Sequence, residues 1–153
     1  MSTMDVGNIS EALVMAAYAN AGFWVSVPFG SGCAYDLVVD TGSRLFKVQV
    51  KTGWLRKGCL IFKGQRRVRD SRCNGMRRYR EGEVDFFAAY FPPTGSIYVV
   101  PFGLVGTHGC LRLTPVLNGQ QKLIRWAADF TWEKHLEQLR LDEGVEPAPA
   151  AEL

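Results

Sequence analysis

The stretch YDLVVDTGSRLFKVQVKT, Tyr35 to Thr52, carries an acid, an amide and an amine that a plain hairpin does not require: Asp36, Gln49 and Lys51. A carboxylate can ligate a hard divalent cation, and an amide oxygen can ligate or position a water. An ammonium can offset negative charge that grows in a transition state. The plain structural alternative is an antiparallel hairpin that turns one polar side to water. That alternative accounts for the alternation. It does not account for Glu11, an acid among the apolar and small residues of a preceding helical stretch, or for the basic segment that follows the hairpin.

These side chains need a frame. Alternation puts Tyr35, Leu37 and Val39 with Phe46, Val48 and Val50 on a core face, and Asp36, Asp40, Lys47, Gln49 and Lys51 on the opposite one. With Thr41 and Gly42 as a two-residue turn, Asp36 is expected across from Lys47 and diagonal to Gln49. GNISEALVMAAYANAG reads as a helix capped by Asn8 or Ser10 and ended by Gly22, with Leu13, Val14, Ala17 and Tyr18 inward and Glu11 in its first turn. FWVSVPF reads as a strand entering the GSG turn of Gly30 to Gly32, which lacks the other residues of a phosphate loop. VDFFAAYF and SIYVVPF are strands about a PPTG turn, and CLRLTPV is a further short one. DFTWEKHLEQLRLD has helical spacing with Phe130, Leu136 and Leu139 or Trp132 inward. The expectation is one α/β or α+β domain over residues 1–141, with a mixed central sheet flanked by helices, and a disordered tail at 142–153.

Charge is distributed unevenly. Residues 44–80 hold thirteen of the 18 Lys and Arg but only one of the 15 Asp and Glu, so a net charge of +3 conceals a segment near +12. Beyond the hairpin, from Trp54 to Glu83, only CLIF reads as a strand. No apolar run reaches the roughly 20 residues of a membrane helix, and no apolar N-terminal stretch with a cleavage site indicates export. The four cysteines are widely spaced without a CxxC pair, which argues against a zinc site with His108 and His135 and for reduced thiols in a cytoplasmic protein.

The pieces GNISEA with Glu11, YDLVVD with Asp36 and VQVKT with Gln49 and Lys51 resemble the PD-(D/E)XK nuclease superfamily. With the later strands EVDFFAAY and IYVVP, they look like its group I intron homing endonuclease branch, from about Gly7 to Gly103. The resemblance implies a restriction-endonuclease-like core with its active site on a β-hairpin, and a metal-dependent endonuclease that hydrolyses phosphodiester bonds of double-stranded DNA. It assigns Asp36, Glu11 and the backbone carbonyl of Val50 to Mg²⁺, with Mn²⁺ as a substitute. It makes Lys51 the group that orients the attacking water and offsets charge. Gln49 stands where Glu or Asp is commoner. Arg56, Lys57, Lys63, Arg66, Arg67, Arg69, Arg72, Arg77 and Arg78 are the expected phosphate contacts, with Trp54 and Tyr79 available to stack on bases or to pack. Cutting both strands implies a homodimer or homotetramer. The alternatives are a Holliday junction resolvase or repair-type nuclease of the same fold, or a catalytically weak nucleic-acid-binding module.

Overall fold

The computed structural model describes residues 1–69, 74–119 and 123–142. Of the expected tail at 142–153, Asp142 instead ends the last helix, and the rest lies outside these residues. Helix α1 (Thr3–Asn20) starts earlier than expected because Ser2, not Asn8 or Ser10, is its cap. The Ser2 hydroxyl accepts from the Asp5 N–H at 3.2 Å, and the Asp5 carboxylate accepts from the Ser2 N–H at 2.8 Å. Val14 and Tyr18 are fully buried, whereas Leu13 is exposed.

Among the described residues ten strands follow: β1 (Trp24–Ser26), β2 (Leu37–Asp40), β3 (Leu45–Thr52), β4 (Trp54–Arg56), β5 (Cys59–Lys63), β6 (Gln65–Arg69), β7 (Asn74–Arg78), β8 (Phe86–Phe91), β9 (Ser96–Pro101) and β10 (His108–Arg112). Helix α2 (Trp132–Asp142) comes after them. The main sheet runs β1-β2-β3-β8-β9, with β3 and β8 parallel and the other pairs antiparallel. Strands β4 to β7 therefore lie inside the crossover between the two parallel strands. The basic segment folds into two hairpins rather than one short strand, because β4 and β5 join β10 in a second sheet while β6 and β7, among the described residues, pair only with each other.

Both faces of the main sheet are buried. On one, Leu37, Val39, Phe46, Val48, Val50, Ala88 and Val99 pack against Val14 and Tyr18 of α1 and Leu139 of α2. On the other, Phe87, Ala89, Phe91 and Val100 meet Leu60, Phe62, Tyr79 and Leu111 of the basic segment and β10. Tyr35 belongs to this second cluster, not to the core face expected for it. In α2 the buried positions are His135 and Leu139, and the Tyr18 hydroxyl meets His135 Nε2 at 2.8 Å. A buried imidazole is tolerated there because it has a hydrogen-bond partner.

The hairpin register differs from the expected one. Leu37 lies opposite Val48 and Asp40 opposite Leu45, so four residues, Thr41 to Arg44, make the turn. The Asp40 carboxylate accepts from the Gly42 N–H at 2.7 Å, and Gly42 takes a φ of +94° that suits glycine. Relative to the expectation the strands slip by two residues, which leaves Leu37, Val39, Phe46, Val48 and Val50 on their expected face. The slip brings Asp36 level with Gln49 rather than with Lys47. Its N–H donates to the Val48 carbonyl at 3.0 Å.

Candidate active site

Gln49 and Lys51 alternate with Val48 and Val50, so they point to the second layer, beside Phe87 and Ala89 of the parallel strand. This face is covered rather than wet. Gln49 is buried and Lys51 half-buried. Asp36 Oδ2 accepts from Gln49 Nε2 at 2.5 Å and from the Val50 N–H at 2.9 Å. Gln49 Nε2 also donates to the Val50 carbonyl at 3.2 Å. Both acceptors fix the amide with its nitrogen toward Asp36 and Val50. Its oxygen has no partner among the described residues, which is unusual for a buried polar atom.

Helix α1 brings in Glu11. Ser10, one residue before it, donates to the Val6 carbonyl at 3.0 Å and contacts Thr52 Oγ1 at 2.6 Å, which pins the helix to the end of β3. A cleft of about 440 Å³ opens there, lined by Glu11, Val50, Lys51, Trp54 and Lys63 among others. Burial raises the Asp36 carboxyl to about 6, and the charge of Glu11 adds to the effect. Burial also raises Glu11, with Lys51 opposing it. Lys51 is lowered to about 8, chiefly by burial and partly by Arg66 and Lys63.

The site thus holds two acids that repel one another and an amide oxygen without a donor. That set suits a hard cation with oxygen ligands. Among the described residues no cluster of three His, Cys, Asp or Glu exists, so any such site draws on the Gln49 oxygen, a backbone carbonyl or water besides the two acids. The three described cysteines, Cys33, Cys59 and Cys110, are free thiols.

The expected phosphate contacts separate into groups. Arg77 grips Glu83 through both terminal nitrogens, at 2.9 and 2.6 Å, and Arg66 lies 3.6 Å from the same carboxylate. Glu83 is lowered to about 2 as a result, led by its hydrogen bond with Arg77. Arg66 also donates to the Gly32 carbonyl at 2.7 Å. These two arginines brace the structure. On the other face of the β6–β7 hairpin, Arg67, Arg69 and Arg78 are exposed, and Lys63 is exposed at the cleft. Arg56 and Lys57 occupy the β4–β5 turn, where Lys57 accepts from Arg112 at 3.0 Å, and they do not line the cleft. Arg72 lies outside the described residues. Tyr79 is buried against Phe87, so it packs rather than stacking on a base, while Trp54 stays partly exposed beside His108.

The reading of the sequence missed Tyr79 as part of this site, together with Ser10, Thr52 and Glu83. Glu83 was the most accessible signal, an acid just after a run of cations.

A mixed sheet whose parallel central strand presents Gln49 and Lys51 beside Asp36, with an acid supplied by a packed helix, defines a nuclease-type core. The chain belongs to the PD-(D/E)XK endonuclease family, whose family model matches residues 1–133. Among solved structures it is similar to a bacterial homing endonuclease, I-Ssp6803I, at 26% identity and a TM-score of 0.73, over 94% of this chain and 97% of that one. No curated protein sequence matches it. The resemblance carried by Glu11, Asp36, Gln49 and Lys51 is borne out for family and fold. No helix among the described residues is long and apolar enough to cross a membrane.

Proposed function

We propose that this chain, as one nuclease domain over residues 1–141, is a Mg²⁺-dependent endonuclease that hydrolyses phosphodiester bonds in double-stranded DNA, as a homing endonuclease does. The observation that carries this reading is that Glu11 and Lys51 line a cleft bordered by Lys63, with the Asp36 carboxylate near enough to feel the charge of both, on a fold whose crossover exposes Arg67, Arg69 and Arg78. Bound at Asp36, Glu11 and either the Val50 carbonyl or the Gln49 oxygen, the cation supplies Lewis acidity toward a phosphoryl oxygen and an acidified water. Lys51 holds a positive charge beside the place where negative charge grows. A plasmid-nicking assay with Mg²⁺, Mn²⁺ or EDTA tests the reading. Nicking should require the cation, and an undiminished rate in excess EDTA removes it. Two symmetry-related sites for the two strands make a homodimer or homotetramer part of the proposal, as is a cytoplasmic setting that keeps the thiols reduced.

One observation favours a second reading, a weakly catalytic binding module. The Gln49 amide sits on the same two oxygens, of Asp36 and Val50, that are assigned to the cation. Gln49→Glu separates the readings. A third carboxylate in this buried place should lower the melting temperature in EDTA and increase the gain on adding Mg²⁺. No change in the Mg²⁺-dependent gain would count against the metal assignment.

The arginines make a further test. Arg67→Ala with Arg69→Ala should weaken duplex binding and reduce the salt slope by about 2, since each phosphate contact contributes roughly 1. Arg77→Ala should instead lower thermal stability, because it removes both guanidinium hydrogen bonds that Arg77 donates to Glu83. If both variants change the salt slope equally, the division between bracing and binding arginines is wrong.

A further inference from the structure

Lys51 Nζ is held from one side only. It donates to the Tyr79 hydroxyl at 3.0 Å and to the Gln65 carbonyl at 3.3 Å, and lies 5.1 Å from the centre of the Tyr79 ring. No carboxylate of the described residues lies within ion-pairing distance of it. An ammonium has three N–H donors. Two are committed to neutral acceptors, which leaves one for whatever occupies the cleft.

Both acceptors come from the basic hairpin. Gln65 opens β6, and Tyr79 follows the last residue of β7. The Arg66 guanidinium lies 6.0 Å from the same Tyr79 ring centre and is itself tied to Glu83 and to the Gly32 carbonyl. Tyr79 is 8% exposed, so it is beyond the reach of a nucleic acid base, and its ring is wedged edge-on against Phe87 of the main sheet at 5.1 Å. A hydroxyl so buried needs a partner, and Lys51 is the one it has among the described residues.

We infer that Tyr79 is a positioning residue for Lys51, fixing the amine at the cleft and tying its place to the hairpin that presents the exposed arginines. Binding surface and reaction centre then share one rigid element. A phenol is suited to this part because it accepts a hydrogen bond and offers a ring face to a cation without neutralising it, as a carboxylate would. The inference deepens the cleavage reading above and rests on it.

A double-mutant cycle in single-turnover cleavage of a duplex tests it, using Tyr79→Phe, Lys51→Met and the pair. Phe keeps the ring and its packing and removes only the hydroxyl. Tyr79→Phe alone should slow cleavage about tenfold with duplex affinity unchanged, the loss of one hydrogen bond to a charged group. In the Lys51→Met background it should have no further effect, because the amine it positions is gone. Equal losses in both backgrounds, or no loss in either, overturn the inference, the first by showing that Tyr79 acts through the fold alone. Cleavage by Lys51→Met at the parent rate would overturn the cleavage reading itself, so the two failures are distinguishable.

Discussion

Lys51→Met and Asp36→Asn are expected to slow single-turnover cleavage by about two to four orders of magnitude, equivalent to ~3 to 5 kcal/mol of barrier, while the protein stays folded. The choice of replacements follows from the contacts. Asp36 accepts two hydrogen bonds, from Gln49 and from the Val50 N–H. Alanine would leave a buried N–H unpaired at a cost of roughly 1 to 3 kcal/mol, whereas asparagine retains an acceptor oxygen. Met fills the space of the Lys51 stem without bringing a charge under the second layer. Binding to duplex DNA should survive in both variants, since the exposed arginines of the crossover are untouched. Cleavage at the parent rate by either folded variant would reduce these side chains to the polar lining of a packed sheet.

In EDTA, Asp36→Asn should be more stable than the parent at pH 8, by up to about 3 kcal/mol, with the difference shrinking toward zero near pH 4. The folded protein holds the Asp36 proton up to about pH 6, whereas the carboxyl ordinarily ionises near 3.8. A shift of two units corresponds to roughly 3 kcal/mol. Because the folded-state value is raised, the carboxylate costs stability above pH 6, and that cost is relieved as the pH falls from about 6 to 4. Burial is the main cause and Glu11 the second. A cation on these acids relieves the same cost, so Mg²⁺ should stabilise the parent strongly at pH 8 and weakly at pH 5, where a proton competes for Asp36. Chemical denaturation at the two pH values, with and without Mg²⁺, reads both effects. A parent that is equally stabilised by Mg²⁺ at pH 5 and pH 8 would show that Asp36 is not its ligand.

Strict alternation from Tyr35 to Thr52 made the face assignments of Leu37, Val39, Phe46, Val48 and Val50 legible, and a two-residue slip leaves faces unchanged. The register was not legible, because Thr41-Gly42 has the look of a tight turn, whereas the loop is closed by the Asp40 side chain and Arg44. The second layer was hidden for a different reason. Gln49 and Lys51 are polar residues on a covered face, and local pattern reads such residues as wet. A break of that kind between pattern and burial is expected at a functional site. Tyr79 was in view as a lone aromatic among cations, but its contact with Lys51 depends on how a crossover of β-hairpins folds back over β3. No periodicity encodes that.

The parallel pairing of β3 with β8 bears on when the protein acquires its active site. All four polar residues of the motif precede residue 52, yet β3 is flanked on its far side by Phe86 to Tyr90, and the hairpin holding Lys51 lies between. Pairing across so long a crossover requires a costly loop closure and is a slow kind of contact to form. A chain emerging from synthesis can therefore carry Glu11, Asp36, Gln49 and Lys51 while lacking the strand that fixes them. The candidate site is then expected to be complete only once β8 has paired with β3.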